Sequence, residues 1–274
     1  MNRRIAPAFL ALVFYFGNAI AATSLPVNFK EGKTTYQGDL YLPKDAKGKL
    51  PLVVVVHEWW GKNEYPKMRA QKIADELGYA ALAVDLYGQA KTVETPKEAG
   101  ELAGPFYQNP MMGVARIRGF ITEAIAKAKT SSAAEIDPSR LAVIGYCFGG
   151  AQALNFARAG SLPGGARLLA TVAFHANLSS SLKGDEKISS KVLVLHGEAD
   201  SFVKEDEVKA FKAEMKARQA ELKFVGYPGA VHAFTNPKAT AIGEKYHIPI
   251  AYNEKADSGS WKEMVAFLKS SFGT

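Results

Sequence analysis

The fold is decided by residues 141–150, which read Leu-Ala-Val-Ile-Gly-Tyr-Cys-Phe-Gly-Gly. An apolar run typical of a buried strand ends at Cys147, and a glycine stands two residues before it and two residues after it. A sharp strand-to-helix turn that holds a reactive side chain above a sheet needs this pattern, because its strained backbone leaves no room for bulk on either side. The stretch therefore predicts a nucleophile elbow. The alternative at this point is a buried structural cysteine beside a glycine-rich turn.

The rest of the chain alternates between strand and helix signals. The Val-rich run at residues 50–57 is typical of a strand buried on both faces of a sheet. A leading antiparallel strand or hairpin is predicted at 33–42, and further strands at 79–86, 141–146, 168–174, 191–196 and 221–227. Helices are predicted at about 65–77, 96–102, 111–130, 150–159, 204–216 and 260–272. This alternation predicts a mainly parallel sheet with helices on both faces, and places the chemistry at the carboxyl ends of the strands.

The N-terminus has the three parts of a secretory signal peptide. Arg3 and Arg4 supply the charged region, residues 5–16 the apolar region, and residues 19–21 (Ala-Ile-Ala) a cleavage site. We therefore expect residues 1–21 to be removed, residues 22–274 to form a single domain, and the protein to be periplasmic or secreted. The alternative is a retained anchor, but the apolar stretch is short for a bilayer, so no stable membrane insertion is expected after cleavage.

Composition excludes several classes of function. The formal net charge is +7, and loss of Arg3 and Arg4 would leave +5. Lysines and arginines are scattered and do not cluster with aromatic residues, so nucleic-acid binding is not indicated. The single cysteine of the 274-residue chain excludes an intramolecular disulfide, and a lone thiol in an exported protein favours a chemical role for it.

Three residues at predicted strand ends have the types and order of a catalytic triad. Cys147, Asp200 and His232 follow one another as nucleophile, acid and histidine. His232 would take the thiol proton and later return it to the leaving group, while Asp200 would orient the imidazole and stabilise its charged form. Glu198 is the alternative acid. The competing histidines are His57, His175, His196 and His247.

Metal and nucleotide chemistry lack their sequence signatures. The pair His57-Glu58 is followed by Trp-Trp-Gly and not by a second histidine at the spacing of a zinc protease. One cysteine and dispersed histidines do not form a zinc set, and no glycine-rich phosphate-binding loop is present. We therefore expect neither a metal nor a cofactor.

Five segments resemble the dienelactone hydrolase family of α/β-hydrolases. They are residues 53–61 (VVVVHEWWG), 81–88 (ALAVDLYG), 143–150 (VIGYCFGG), 192–200 (VLVLHGEAD) and 229–234 (GAVHAF). The resemblance implies the α/β-hydrolase fold and the triad named above. It also implies that Glu58 contacts the resting thiol and makes it reactive only once substrate is bound. The backbone N–H groups of Trp59 and Phe148 would form the oxyanion hole.

The sequence departs from this family where dienelactone-cleaving members carry two carboxylate-binding arginines. The corresponding positions here are Gln89 and Asn236, and neutral amides do not replace a guanidinium fork. Dienelactone is therefore not the expected substrate. Trp59 and Trp60 suggest an aromatic wall near the thiol, and the candidate substrate-binding residues are Trp60, Gln89, His175 and Asn236.

The sequence as a whole predicts a hydrolase of small esters or lactones that works through an acyl-cysteine intermediate. The first alternative is a thioester or other acyl hydrolase on the same scaffold. The second is a small-ligand-binding protein that does not catalyse a reaction. The intact set of Cys147, Asp200 and His232 argues against the second alternative, since binding alone does not require these three side chains.

Overall fold

The structure is a computed structural model that describes residues 22–131, 134–160, 162, 166–182 and 184–274. The signal peptide predicted at residues 1–21 lies outside these ranges. Within them, no helix combines the length and the apolar character that crossing a membrane requires.

Eight strands in the described part of the chain form one sheet. They are β1 (Thr23–Glu31), β2 (Thr34–Leu42), β3 (Gly48–Val56), β4 (Ala80–Val84), β5 (Ala134–Tyr146), β6 (Leu168–Phe174), β7 (Lys191–Gly197) and β8 (Leu222–Tyr227). Their order across the sheet is β1-β2-β4-β3-β5-β6-β7-β8. The pairs β1–β2 and β2–β4 are antiparallel, and all other neighbours are parallel. This confirms the predicted mainly parallel sheet and the leading antiparallel strand at 33–42, while its hairpin partner β1 lies before the predicted range.

Helices cover both faces of the sheet. They are α1 (Glu64–Leu77), α2 (Pro96–Gln108), α3 (Met111–Ser131), α4 (Phe148–Arg158), α5 (Glu205–Ala217), α6 (Ala239–Tyr246) and α7 (Glu254–Phe272). Side chains of β3 alternate between the faces, as the period of a strand requires. Val53 and Val55 pack with residues of α1 and α7, whereas Val54 and Val56 pack with residues of α2, α3 and α4. The valine run is therefore buried on both sides.

The last helix begins earlier than predicted. Sequence analysis placed its start at Ser260, but the helix begins at Glu254 and its N-cap is Asn253, whose side chain accepts a 3.0 Å hydrogen bond from the Ala256 N–H. Ser260 lies inside the helix and its hydroxyl donates to the Asp257 carbonyl at 2.9 Å, so it caps nothing. The structure also contains α6, which was not predicted, and α2 continues through Pro105 to Gln108 and not only to residue 102.

Candidate active site

Cys147 forms the turn between β5 and α4. Its backbone has φ 55° and ψ −117°, a left-handed region that non-glycine residues rarely adopt. Two glycines make this turn possible. A Cβ added at Gly145 would collide with the backbone of Gly149, and a Cβ added at Gly149 would collide with the carbonyl oxygens of Val56 and His57. The predicted nucleophile elbow is therefore present, and the half-buried thiol stands at the carboxyl end of the central strand.

Asp200 and His232 meet the cysteine at this edge of the sheet. Asp200 follows β7, and its carboxylate accepts a 2.7 Å hydrogen bond from Nδ1 of His232 and a 3.0 Å bond from the Phe202 N–H. His232 and Cys147 both line the cavity at this edge of the sheet, and the other ring nitrogen of His232 is not used by Asp200. The alternative acid, Glu198, is exposed. The structure thus brings the three predicted residues together at one edge of the sheet, with His232 bonded to Asp200.

The pKa of His232 reflects these neighbours. Burial disfavours the imidazolium, but attraction to Cys147 and Asp200 and the hydrogen bond with Asp200 outweigh burial and raise the pKa of His232 to about 10. These neighbours therefore stabilise the charged form that the ring takes when it accepts a proton.

Glu58 lies in the same cavity lining as Cys147 and His232, in the loop after β3, and it is 2% exposed. Burial raises the pKa of its carboxyl to about 7, although a 2.6 Å hydrogen bond from Nδ2 of Asn236 and the charges of His232 and Arg69 act in the opposite direction. Glu58 and Cys147 line the same cavity, and the hydrogen bond that the Glu58 carboxylate accepts comes from Asn236. The contact of Glu58 with the resting thiol stays a prediction.

A cavity of about 300 Å³ opens above the thiol. Trp59 and Trp60 form part of its wall, in edge-to-face contact with ring centroids 5.0 Å apart, and Phe202 covers His232 at 5.0 Å. Four residues of α2 form another part of the wall, and the lining includes Glu58, Trp59, Trp60, Gly100, Ala103, Gly104, Tyr107, Cys147, Asn177, Phe202, Val203, His232, Ala233 and Ile250. Most of these side chains are apolar. The predicted aromatic wall is therefore in place.

Three predicted substrate-binding residues lie outside this lining. Gln89 is exposed, because the carboxylate of Asp85 accepts hydrogen bonds from the N–H groups of Tyr87, Gly88 and Ala90 at 2.8–3.0 Å and turns the chain away from the site. Asn236 is buried against Glu58 and borders a separate cavity next to Trp60. His175 is buried beneath the elbow. Of the four predicted residues, the cavity lining includes Trp60.

The other histidines have different surroundings. His57 is buried between the Glu58 carbonyl at 2.5 Å and the Leu86 N–H at 3.1 Å, and burial lowers its pKa to about 4. His196 packs against Phe224, and burial lowers its pKa as well. His247 is exposed and ends α6 in the left-handed region.

Sequence analysis missed a buried polar cluster behind the elbow. It consists of Tyr65, Arg69, Thr235 and Asp257, and it connects α1, the His232 loop and α7. One signal could have indicated it. Arg69 lies one helical turn before the inward-facing Ile73, so the pattern places a charge on a buried stripe, and such a charge requires partners. Among the described residues, no group of three or more His, Cys, Asp and Glu side chains is arranged to hold a metal ion.

Comparisons with known proteins agree with this geometry. The sequence profile of the dienelactone hydrolase family matches residues 36–272. Protein usf of Aquifex pyrophilus is 28% identical over 246 residues, which are 89% of this chain and 96% of that protein. A protein of Aquifex aeolicus named "Putative carboxymethylenebutenolidase" is 26% identical over 247 residues, 89% of this chain and 97% of that protein.

Solved structures also indicate the dienelactone hydrolase family. A dienelactone hydrolase-like promiscuous phosphotriesterase from metagenomic libraries is 32% identical, with a TM-score of 0.80, and the match covers 92% of this chain and 99% of that chain. The resemblance that the five sequence segments indicated is thereby confirmed, together with the α/β-hydrolase fold. The chain belongs to the dienelactone hydrolase family.

Proposed function

We propose that this chain hydrolyses small neutral esters or lactones through a covalent intermediate on Cys147. One observation carries the proposal: the only cysteine of the chain stands on a strained elbow in the lining of an apolar cavity, and the same lining includes a histidine that is hydrogen-bonded to a buried carboxylate. His232 takes the thiol proton, and the thiolate that this leaves is the reactive form of cysteine.

In the first half of the reaction, the sulfur of Cys147 attacks the carbonyl carbon and forms a tetrahedral oxyanion. The oxyanion collapses, the carbon–oxygen bond to the alcohol breaks, and His232 gives its proton to the leaving oxygen. In the second half, neutral His232 takes a proton from water while the water oxygen attacks the thioester. The carbon–sulfur bond then breaks, which releases the acid and restores the thiolate–imidazolium pair. Asp200 holds the imidazole in the tautomer that both halves need.

The oxyanion would be held by the backbone N–H groups of Trp59 and Phe148. Phe148 is the first residue of α4, and the first N–H groups of a helix have no carbonyl partner within the helix. Trp59 lies in the loop after β3 and lines the cavity from the other side. Two such donors stabilise the transition state by several kcal/mol, about 3 kcal/mol for each.

The cavity favours neutral substrates. Among its described lining residues there is no arginine or lysine to pair with a carboxylate. Gln89 stands on an exposed turn and Asn236 is occupied by Glu58, so neither position supplies the cation that dienelactone-cleaving relatives use. A neutral acyl group of modest size, in contact with Trp59 and the small residues of α2, matches a cavity of about 300 Å³.

Two further activities belong in the same substrate panel. Thioesters would react at the same thiolate and give the same acyl-cysteine. Neutral phosphotriesters are a second candidate, because a 32% identical relative is described as a promiscuous phosphotriesterase and because the cavity lining is uncharged apart from Glu58 and His232. A ligand-binding protein that catalyses no reaction is the remaining alternative.

The first experiment is intact-mass spectrometry of the purified protein mixed with short activated esters, lactones, thioesters and neutral phosphotriesters. Wild type is expected to show a transient adduct of one acyl group, and Cys147→Ala no adduct and a turnover lower by at least about 10³-fold. Cys147→Ser tests whether an oxygen at the same place sustains a slow reaction. Equal turnover by wild type and Cys147→Ala would refute covalent catalysis at this residue.

We also propose that residues 1–21 direct export to the periplasm or the medium. The charged, apolar and Ala-x-Ala segments support this proposal. The N-terminal residue of the protein recovered from a periplasmic or culture-supernatant fraction tests it. A protein that begins at Ala22 is expected, whereas a protein with an intact N-terminus in the membrane fraction would mean that the segment is an anchor.

A further inference from the structure

His175 lies directly beneath the elbow but does not face the cavity. It follows β6, it is fully buried, and its φ of 38° is in the left-handed region where a non-glycine residue is strained. Its ring contacts the His232 ring edge to face, with centroids 5.3 Å apart. His175 is buried between two proposed catalytic residues, and its strained backbone must be held in place by other contacts. The hydrogen bonds of its ring are such contacts.

The two ring nitrogens of His175 connect two different loops. Nδ1 lies 3.1 Å from the backbone nitrogen of Cys147, whose N–H it shares with the Phe174 carbonyl at 3.0 Å. Nε2 lies 2.7 Å from Oγ1 of Thr235, three residues after His232. A backbone N–H only donates, so Nδ1 must be the acceptor and the ring proton must be on Nε2. His175 is therefore neutral and donates to Thr235. Burial also favours the neutral ring, because it lowers the pKa of His175 well below the usual range.

Thr235 is fixed from the other side as well. Its hydroxyl lies 2.6 Å from the Tyr65 hydroxyl, and its carbonyl accepts a 2.6 Å bond from Nη2 of Arg69. The same nitrogen of Arg69 donates to Asp257 at 2.6 Å, and Nε donates to Tyr65 at 3.2 Å. The loop that carries His232 is thus tied to α1 and α7 through its backbone, and to the cysteine turn through His175.

We infer that His175 is a positioning residue that fixes His232 relative to Cys147 by joining the Cys147 N–H to the Thr235 hydroxyl. This inference rests on the proposed function. The sulfur stands on the loop after β5, and the imidazole stands on the loop after β8. Strands β6, β7 and β8 lie between these two loops in the sequence. A rigid planar ring with one acceptor and one donor on opposite sides holds these loops at a set spacing, and a misplacement of about 1 Å can cost a factor of about 10² in rate.

The test compares variants that remove each end of this bridge. His175→Phe keeps a ring and loses both bonds, and Thr235→Val loses only the hydroxyl. His175→Asn keeps an acceptor near Nδ1, and His175→Gln places an N–H donor near Nε2. The control is Thr171→Val, which removes another buried threonine hydroxyl, 3.2 Å from Ser190. Thr171 lies in β6, the strand that precedes His175, and is not part of the cavity lining.

Kinetics on the best ester of the panel separate positioning from a purely structural role. For His175→Phe we expect the rate of acyl-enzyme formation, measured as a pre-steady-state burst, to fall about 10- to 100-fold while KM changes less than about threefold. His175→Asn and His175→Gln should lie between His175→Phe and wild type. Because both residues belong to one bridge, adding Thr235→Val to His175→Phe should cost little more. Thr171→Val should keep the wild-type burst.

The outcomes distinguish this inference from the proposed function. Folded His175→Phe and Thr235→Val proteins with a wild-type burst, whatever their melting temperatures, would overturn the positioning role. If His175→Phe does not fold, Thr235→Val and His175→Asn decide the question alone. An inactive wild type would instead refute the proposed function, and the burst comparison requires an active one.

Discussion

Replacing Glu58 with glutamine should remove a pH-dependent loss of stability. In the unfolded chain this carboxyl loses its proton near its ordinary pKa of 4.5, whereas in the folded protein burial raises the pKa to about 7. The folded state therefore binds more protons between these two values, and the free energy of unfolding falls as the pH rises through that window. Glutamine retains an oxygen that accepts the hydrogen bond from Asn236, but it does not titrate.

The size of the effect follows from the two pKa values. A difference of about 2.5, at about 1.4 kcal/mol per pH unit, makes ionised Glu58 cost about 3 kcal/mol of folding stability above pH 7. Below pH 4.5 the cost vanishes, because the carboxyl is protonated in both states. The stability of Glu58→Gln relative to wild type should therefore increase by about 3 kcal/mol from pH 4.5 to pH 7.5.

Urea unfolding of both proteins at pH 4.5, 6 and 7.5 measures this difference. Other titrating groups are common to the two proteins, so their contributions largely cancel in the comparison. Glu101→Gln, on the exposed side of α2, is the control for the Glu-to-Gln substitution itself. A difference between Glu58→Gln and wild type that stays constant from pH 4.5 to pH 7.5 would refute the reasoning, since it would mean that burial does not hold the proton on this carboxyl.

Three predictions concern two glycines near the site. Gly145→Ala should lower the free energy of unfolding by more than about 3 kcal/mol in urea unfolding, because its Cβ would collide with the backbone of Gly149; a loss below about 1 kcal/mol would show that the elbow can relax. Gly104, in α2, has no atom within 4 Å of an added Cβ, so Gly104→Ala should raise the melting temperature through about 0.5–1 kcal/mol of helix propensity. Gly104→Leu should narrow the cavity and raise KM for a butyrate ester about tenfold relative to an acetate ester, and equal changes for both esters would place this position outside the acyl-binding wall.

The sheet and most helices could be predicted because their signals are local. The valines of β3 and the glycines around Cys147 determine their own structure within a few residues. The predicted start of α7 was wrong. Ser260 and Glu263 have the spacing of a capping box, but Asn253 caps the helix seven residues earlier, and the helix continues through Ser260. Local patterns identify possible caps, and only packing decides which of them begins a helix.

The surroundings of the candidate site could not be predicted, because they depend on contacts between residues that are far apart in the sequence. Asn236 and Glu58 are 178 positions apart, and His175 and Thr235 are 60 apart, so no local pattern relates them. Gln89 was predicted to bind substrate from its position after β4, but the hydrogen bonds to Asp85 turn it to solvent. The order of Cys147, Asp200 and His232 indicated which residues would meet, because strand ends gather at one edge of a parallel sheet.

The floor and the wall of the cavity come from different parts of the chain. The turns that end β3, β5, β7 and β8 carry Glu58, Cys147, Asp200 and the His232 loop, whereas α2 contributes Gly100, Ala103, Gly104 and Tyr107. Substitutions in α2 can therefore alter the shape of the acyl group that fits while the reacting atoms stay in place. Laboratory evolution of this chain toward a bulkier or smaller substrate should accumulate its first changes in this helix, and selection should keep the turns at the strand ends unchanged.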